Sequence, residues 1–598
     1  MAHHAIQPVP LTRAQRYGAI VVIALLALAA SWPGVYSDFT YDDRFIVLAN
    51  TSLHDIHNWW RYFISAYWPA EFGNDGYRPL TILSYSLQWA AAGGKPWIFH
   101  ATNIGLYMIA SVAVFFLAET CLPFAAAWVA AALYAVHPVH VEAVGNVVGQ
   151  SELLVAVFLL SATTFYVRRR NANELTPWAM VGIAALYAAA CLSKEHGFVL
   201  PFVLLAAELT VVVDRTPLKA RVGSLRPLAL GMALVAVAYS FAHLRVNEEL
   251  TGFHPYIPFE RLGLGFSGRF FTMAGLVPEW FRLFLWPIHL SSEYGPPQYP
   301  VVNGFELYQL PGMIGLFGVI ALGLATWKRA PAVSFGIWFM ILTLLPTSNF
   351  LIPTGLLLAE RTLLTPTAGV MIAVSAIVPV IYLRTRTPAI RLGAAAALVA
   401  ALLALAWRSS ERTRIWKDNE ALFTATVEDA PFVYRAHFML GAWRMSQLRK
   451  VQGEREYLLA MSMYDSDPLL YYSLGEEYRG FRMYHRAIAM YNKALAIDTT
   501  MYEARARLAI ALAGLGQWKD ASREAIRALS ENTRSTKAML QVVRLAGAAG
   551  RRAAGQPPPS LEEAERELKQ SGKPPVAVQK ATFPNATETG TKGKPPGL

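Results

Sequence analysis

Asp42 and Asp43 stand side by side in SDFTYDDRFIVLAN, residues 37 to 50. Adjacent carboxylates repel, so the pair carries a local cost unless water screens it or chemistry uses it. Three further stretches hold residue types that do chemistry. AVHPVHVEAVGNVVGQSELL (135–154) carries His137, His140 and Glu142, CLSKEHGFVLP (191–201) carries Lys194, Glu195 and His196, and TGLLLAERTLLTPTAGV (354–370) carries Glu360 and Arg361. Carboxylates and imidazoles move protons, and Lys and Arg receive a phosphate. Each set alone also has a plainer reading. The two acids suit a solvated loop or a helix cap, and the histidines flanking Pro138 suit the polar end of a helix pair. Lys194 and Glu195 suit an interfacial ion pair, and Arg361 a side chain snorkelling to headgroups. H-x-x-H-x-E has metal-ligand types without the HExxH arrangement, and no metal is expected.

The elements that must position these residues are membrane helices. Of 598 residues 54% are hydrophobic and only 16% charged, which excludes an ordinary soluble protein of this length. Two cysteines, Cys121 and Cys191, exclude a disulfide framework and a CxxC site. The net charge of +12 comes from short basic clusters between apolar runs, a juxtamembrane pattern rather than a nucleic-acid footprint. Apolar stretches near 18–32, 98–118, 122–136, 151–167, 177–193, 197–213, 228–245, 311–327, 332–346, 364–383 and 390–407 read as spans, about eleven in all. With the N-terminus inside, Arg13 and Arg16, RRR at 168–170, DRTPLKARVGSLR at 214–226, KR at 328–329 and RTRTPAIR at 384–391 all fall on the cytoplasmic side. The first span then acts as an uncleaved signal anchor. YRPLTILSYSLQWAAAG (77–93), which begins beside Arg78, RFFTMAGLVPEWFRLFLWPIHL (269–290) and NWWRYFISAYW (58–68) read as helices at the outer interface. The four polar sets therefore meet at one outer membrane surface.

Taken in order, YDDRFIVLAN, YRPLTILSYSLQW, FHATNIGLYM, HPVHVEAVGNVVGQSELL, LSKEHGFVLP, LWPIHLSSEYGP and LAERTLLTPTAG closely resemble the transmembrane and tetratricopeptide-repeat-containing O-mannosyltransferases. These are relatives of the protein O-mannosyltransferases, in the GT-C class of membrane glycosyltransferases. The resemblance implies an enzyme that takes a sugar from a polyprenyl-phosphate-linked donor and transfers it, with inversion, to Ser or Thr hydroxyls on the non-cytoplasmic side. It implies mannose as the sugar and needs no cofactor. The acidic pair of the family maps onto Asp42 and Asp43, with Asp42 as the base and Asp43 raising its proton affinity or orienting the acceptor. Arg361 and Lys194 map as the cations for the leaving phosphate. His137, His140, Glu142, Glu195, Glu360 and Arg78 map as substrate-binding residues. His196 departs from the family, where a small or amide residue is common.

Beyond residue 410 the pattern changes. At an offset of 34 residues, Leu474 pairs with Leu508, Gly480 with Gly514, Tyr484 with Trp518, Ala487 with Ala521 and Ala494 with Ala528. That is the tetratricopeptide period. Leu440 and Gly441 mark an earlier degenerate copy, giving about three repeats over 432–545. The expected fold is all-α: a polytopic helix bundle of GT-C type over 1–415, a repeat solenoid over 416–550 and a disordered Pro- and Lys-rich tail over 551–598. NAT at 585–587 is a glycosylation sequon by pattern. The solenoid reads as the receptor of an acceptor polypeptide, or as a docking or oligomerisation module. No nucleic acid is expected as a partner. Compact basic loops and a short tail suit a bacterial inner membrane. A transporter is disfavoured, because the charges gather at one face instead of the midplane. A membrane-anchored scaffold and a lipid- or glycan-directed transferase stand as alternatives.

Overall fold

The computed structural model describes residues 12–69, 75–213, 216–247, 259, 264–385 and 387–531, with single positions at 544, 548 and 551. Most of the third repeat's end, the tail and the sequon lie outside the described residues. The described chain is helical, and its only β pairing is two isolated bridges, Tyr294 with Leu358 and Pro297 with Val433.

The helices run in chain order as α1 (Arg13–Ser31), α2 (Pro79–Ala92), α3 (Pro96–Ala118), α4 (Phe124–Ala135), α5 (Val141–Gly145), α6 (Gln150–Asn171), α7 (Pro177–Ser193) and α8 (Leu200–Thr210). They continue as α9 (Leu218–Ser224), α10 (Arg226–Asn247), α11 (Phe266–Leu285), α12 (Leu310–Thr326), α13 (Pro331–Leu344), α14 (Leu364–Ser375), α15 (Ile377–Arg384) and α16 (Pro388–Thr413). Then come α17 (Asn419–Asp429), α18 (Tyr434–Ser446), α19 (Lys450–Met463), α20 (Pro468–Gly480), α21 (Tyr484–Ile497), α22 (Tyr502–Gly514) and α23 (Trp518–Glu531).

All eleven expected spans fall on helices, and seven are long and apolar enough to cross a membrane. An eighth is the bent pair Phe124–Ala135 with Pro138–Gly145, at 49°, and Pro177–Ser193 and Pro331–Thr347 are shorter apolar helices. The remaining stretch, 197–213, forms α8, whose 11 residues rise about 17 Å against a hydrocarbon core of about 30 Å. The short helices stop where polar sequence begins: α4 ends before His137 and α7 ends at Lys194. Helix length is thus given up to form the polar motifs. The stretch at 58–68 also differs from expectation. It is a 3-10 helix over Ile56–Ile64, interrupted by non-helical backbone at Asn58.

Two ends of the bundle are chemically distinct. At one, Glu119 accepts from Arg16 (2.6 Å) and Arg168 (3.1 Å), and buried Glu208 pairs with Arg170 (2.5 Å) and Arg221 (3.0 Å). The last turn of α6 carries Arg168, Arg169 and Arg170, a placement the helix dipole favours. At the other end lie the close of α1, the start of α6 and the loops bearing the acid pair. Exposed Trp178 starts α7 near the basic end, while exposed Trp32, Trp97, Trp286 and Trp407 sit toward the other, in the manner of interfacial belts.

The chain divides into two compact units, Met1–Arg444 with Val451–Tyr464, and Met445–Lys450 with Asp465–Leu598. Within the second, α20 to α23 start at 468, 484, 502 and 518, so both helices of a pair recur after 34 residues, as the sequence offset predicts. Leu474, Leu508, Ala487, Ala521, Ala494 and Ala528 are buried, and the Gly475 backbone packs against the Tyr491 ring, 2.6 Å from where a Cβ would stand.

Candidate active site at the polar end of the bundle

The two acids point into different surroundings. Asp43 is fully buried, and its carboxylate accepts backbone N–H groups from Thr40 (3.2 Å), Val147 (3.2 Å) and Val148 (2.9 Å). The last two donors belong to the turn after α5, which Gly149 makes possible. A Cβ there would stand 2.2 Å from the Ala143 carbonyl oxygen, a contact no side chain tolerates. Asn103 fastens the same turn by donating to the carbonyls of Asn146 (3.0 Å) and Val147 (3.3 Å). Burial pushes the Asp43 carboxyl up to about 8, against the three N–H groups that hold it down.

Asp42 is half-buried, and among the described residues its carboxylate accepts no hydrogen bond. Burial raises it to about 6. Arg361 and Arg435 pull it down and Glu293 and Glu142 push it up, so four charged neighbours set its acidity. That is the environment of a base poised near neutral pH. The residue before it, Tyr41, adopts φ +53°, a left-handed conformation unusual for a bulky side chain.

The cations around this carboxylate are each paired. Glu142, 2% exposed, accepts from the Arg361 backbone N–H (2.9 Å) and also from the Arg361 guanidinium. Lys194 donates to Glu152 (2.5 Å), whose other oxygen faces His196 Nδ1 at 3.3 Å. Arg78 grips Glu195, with Nε 3.1 Å from both carboxylate oxygens, and lies 4.6 Å from the centre of the Tyr67 ring. Burial disfavours a charged Glu195, yet Arg78 holds its carboxyl down to about 2. Burial, opposed by Glu152 and reinforced by Arg78 and Arg361, lowers Lys194 from its ordinary value. Lys194 thus lies close enough to Arg78 and Arg361 to be repelled by both, while each of the three cations is held by its own carboxylate.

The remaining candidates stand behind this surface. His137 donates from Nε2 to the Phe284 carbonyl (3.1 Å) while Nδ1 accepts from Val139 N–H (3.3 Å), which caps the short helix at Pro138. His140 bonds the Tyr107 hydroxyl through Nδ1 (2.8 Å), and both rings are buried. Glu360 accepts from Ser291 N–H (2.7 Å) and the Tyr294 hydroxyl (2.5 Å). The structure gathers Asp42, Glu142, Arg361, Lys194, Arg78 and Glu195 into one electrostatic neighbourhood, and packs Asp43, His137, His140 and Glu360 into its walls. Among the described residues no group of three or more His, Cys, Asp or Glu side chains could hold a metal.

A tetratricopeptide-repeat family model matches residues 480–543. The human protein O-mannosyl-transferase TMTC3 is 26% identical over 387 residues, 60% of this chain and 42% of its own length. Human protein O-mannosyl-transferase TMTC1 is 23% identical over 491 residues, 75% of this chain and 55% of its own. The Drosophila melanogaster protein O-mannosyl-transferase Tmtc2 is 36% identical over 169 residues, 26% of this chain and 18% of its own. The chain resembles the TMTC protein O-mannosyl-transferases. It spans about half the length of the curated relatives it matches, and the resemblance carried by the order of its motifs is borne out.

Several residues of the site carry no signal of their own in the sequence. Glu152 lies inside HPVHVEAVGNVVGQSELL and Glu293 inside LWPIHLSSEYGP, so the motifs mark their segments but not their roles. Tyr41 is overshadowed by the acids beside it. Arg435 and Asn419 have no local mark, since both lie beyond the last span. Arg435 donates to Glu293 (2.8 and 3.2 Å), and Asn419 accepts from the Tyr41 N–H (2.8 Å).

Proposed function

We propose that this chain is an integral-membrane glycosyltransferase moving a sugar, mannose by its resemblance, from a polyprenyl-phosphate-linked donor to Ser or Thr hydroxyls of a protein on the non-cytoplasmic face. The observation that carries this reading is a half-buried carboxylate, Asp42, that accepts no hydrogen bond among the described residues and feels the charge of Arg361, which together with Arg78 acts on Lys194. The names of the relatives support the reaction class. The basic groups gathered at the far end of the bundle support a site facing away from the cytoplasm.

In this mechanism Asp42 accepts the proton of the acceptor hydroxyl as its oxygen bonds to the sugar's anomeric carbon. The bond from that carbon to the phosphate oxygen breaks, and its electron pair leaves with the lipid phosphate. One displacement inverts the anomeric centre. Arg361 and Lys194 stabilise the charge that grows on the phosphate, exchanging part of their contact with Glu142 and Glu152 for the anion. Glu195 and Glu142 keep Arg78 and Arg361 ionised and aimed. Asp43 acts through the backbone, fastening the acidic loop to the 146–149 turn. The repeats would receive the acceptor polypeptide.

The test is transfer of radiolabelled mannose from polyprenyl-phosphate-mannose to acceptor protein by purified wild type, Asp42→Asn and Arg361→Ala, with melting temperatures measured for each. Labelling by wild type alone is expected. A fully active, folded Asp42→Asn would remove this base from the mechanism, and no transfer by wild type from any lipid-phosphate sugar would favour the scaffold.

A further inference from the structure

Three of the hydrogen bonds that hold Tyr41 come from far along the chain. Its N–H donates to Asn419 Oδ1 (2.8 Å), its hydroxyl donates to Glu293 Oε1 (2.6 Å), and Arg435 Nη2 donates to that hydroxyl (3.3 Å). Arg435 and Glu293, both buried, are joined by two further hydrogen bonds, and the Tyr41 ring lies 6.1 Å from that of Phe423. Asn419 and Phe423 lie on α17 and Arg435 on α18, the first two helices after the last span. One residue further along, Asp42 is the other middle residue of the turn that Asp43 N–H closes on the Thr40 carbonyl (3.0 Å). The backbone at Tyr41 is left-handed, a state that persists only where its surroundings impose it.

We propose that Arg435 and Glu293 are a positioning pair for Asp42: clamping the Tyr41 hydroxyl, they hold the strained turn that leaves the Asp42 carboxylate unbonded beside Arg361. The inference rests on the reading of Asp42 as the base. It makes α17 and α18 part of the catalytic unit, although the sequence period assigns α18 to the acceptor-binding repeats. It also gives the pair a second effect. The charges facing Asp42 are Arg361 from the 360–363 turn, Glu293 from the loop after α11, Arg435 from α18, Glu142 from α5 and Asp43 from its own segment. Among them Arg435 favours the ionised carboxylate and Glu293 disfavours it.

The experiment is the pH dependence of mannose transfer from polyprenyl-phosphate-mannose to an acceptor peptide by full-length wild type, Arg435→Gln, Arg435→Lys, Glu293→Gln and Tyr41→Phe. The rising limb is expected at higher pH than wild type in Arg435→Gln and at lower pH in Glu293→Gln, with Arg435→Lys returning toward wild type. A general loss of structure would not move the two in opposite directions. Tyr41→Phe leaves the Arg435–Glu293 ion pair whole, and its melting temperature is measured beside wild type. Its kcat is expected to fall at least about tenfold with the donor KM unchanged. A wild-type kcat in Tyr41→Phe, or limbs that stay put or shift together in the two charge variants, overturns the proposal. A wild type inactive at every pH, or a folded Asp42→Asn as active as wild type, instead overturns the base reading beneath it.

Discussion

At Asp42 and Asp43, identical side chains one residue apart meet opposite surroundings. Asp43 lines up with three inward N–H groups, whereas the Asp42 carboxylate accepts no hydrogen bond among the described residues and meets charges at a distance. Because Asp42 must be ionised to accept a proton and burial holds it near 6, wild-type transfer should rise with pH through about 6. A pH profile flat between about 5 and about 8 would argue against an acid of this kind in the rate-limiting step. Asp43 leads to a stability prediction. Its carboxyl titrates near 8 in the folded chain against about 3.9 when unfolded, so between these values the folded state holds the extra proton. Stability therefore falls as pH rises through that window, and the decline should be shallower in Asp43→Asn. Thermal melting in detergent at a series of pH values across that window measures the difference. Asp43→Ala strands the buried Thr40 and Val147 N–H groups, at about 1–3 kcal/mol each, while Val148 N–H keeps Asn146 Oδ1 (3.3 Å), and it should lower the melting temperature at every pH.

The element that matters most is the broken helix from α4 to α6. A continuous helix through 124–171 would satisfy its own backbone and present no N–H groups to Asp43. Pro138 and the tight passage at Gly149 break it, and the freed groups then bind the acidic loop. Gly149→Ala should therefore act on the site, though it removes no functional group. Its Cβ collides with the Ala143 carbonyl, and a loss above about 2 kcal/mol is expected, together with loss of transfer. Gly105, on α3 with nothing within 4 Å of where a Cβ would stand, is the control. There alanine should be neutral or stabilising by up to about 1 kcal/mol. Equal melting temperatures for the two variants would mean that the 146–149 turn yields without cost.

Over the whole molecule, the boundary between membrane unit and repeats decides what can be removed. The sequence places the change near 415 and the repeats from 432, but the first compact unit includes α17, α18 as far as Arg444, and Val451–Tyr464. In α18 and α19, His437 (2.7 Å) and Arg444 (2.7 Å) share Glu456, which ties the first hairpin together. A chain ending at 415 lacks Asn419 and Arg435, and should lose transfer to any acceptor. A chain ending at Tyr464 should keep transfer to a short Ser- or Thr-containing peptide while losing rate on large unfolded acceptors. Comparing both truncations on both acceptors separates a repeat region that receives substrate from helices that support the site. Equal activity of the two on the short peptide would deny α17 and α18 that role.

At this same scale, composition and periodicity suffice for the membrane bundle, for the ends at which basic and reactive groups gather, and for the 34-residue repeat, because burial and period are written in neighbouring residues. Residue type and resemblance bring forward Asp42, Asp43, Glu142, Lys194 and Arg361 as well. Which acid is bonded and which is free emerges only on packing, since Asp43 finds two of its donors 104 and 105 residues away. The same holds for the carboxylate that holds each cation, and for the contact of Tyr41 with Arg435 across 394 residues. A salt bridge or an N–H cradle depends on which loops the packed helices bring together, and no local pattern records that.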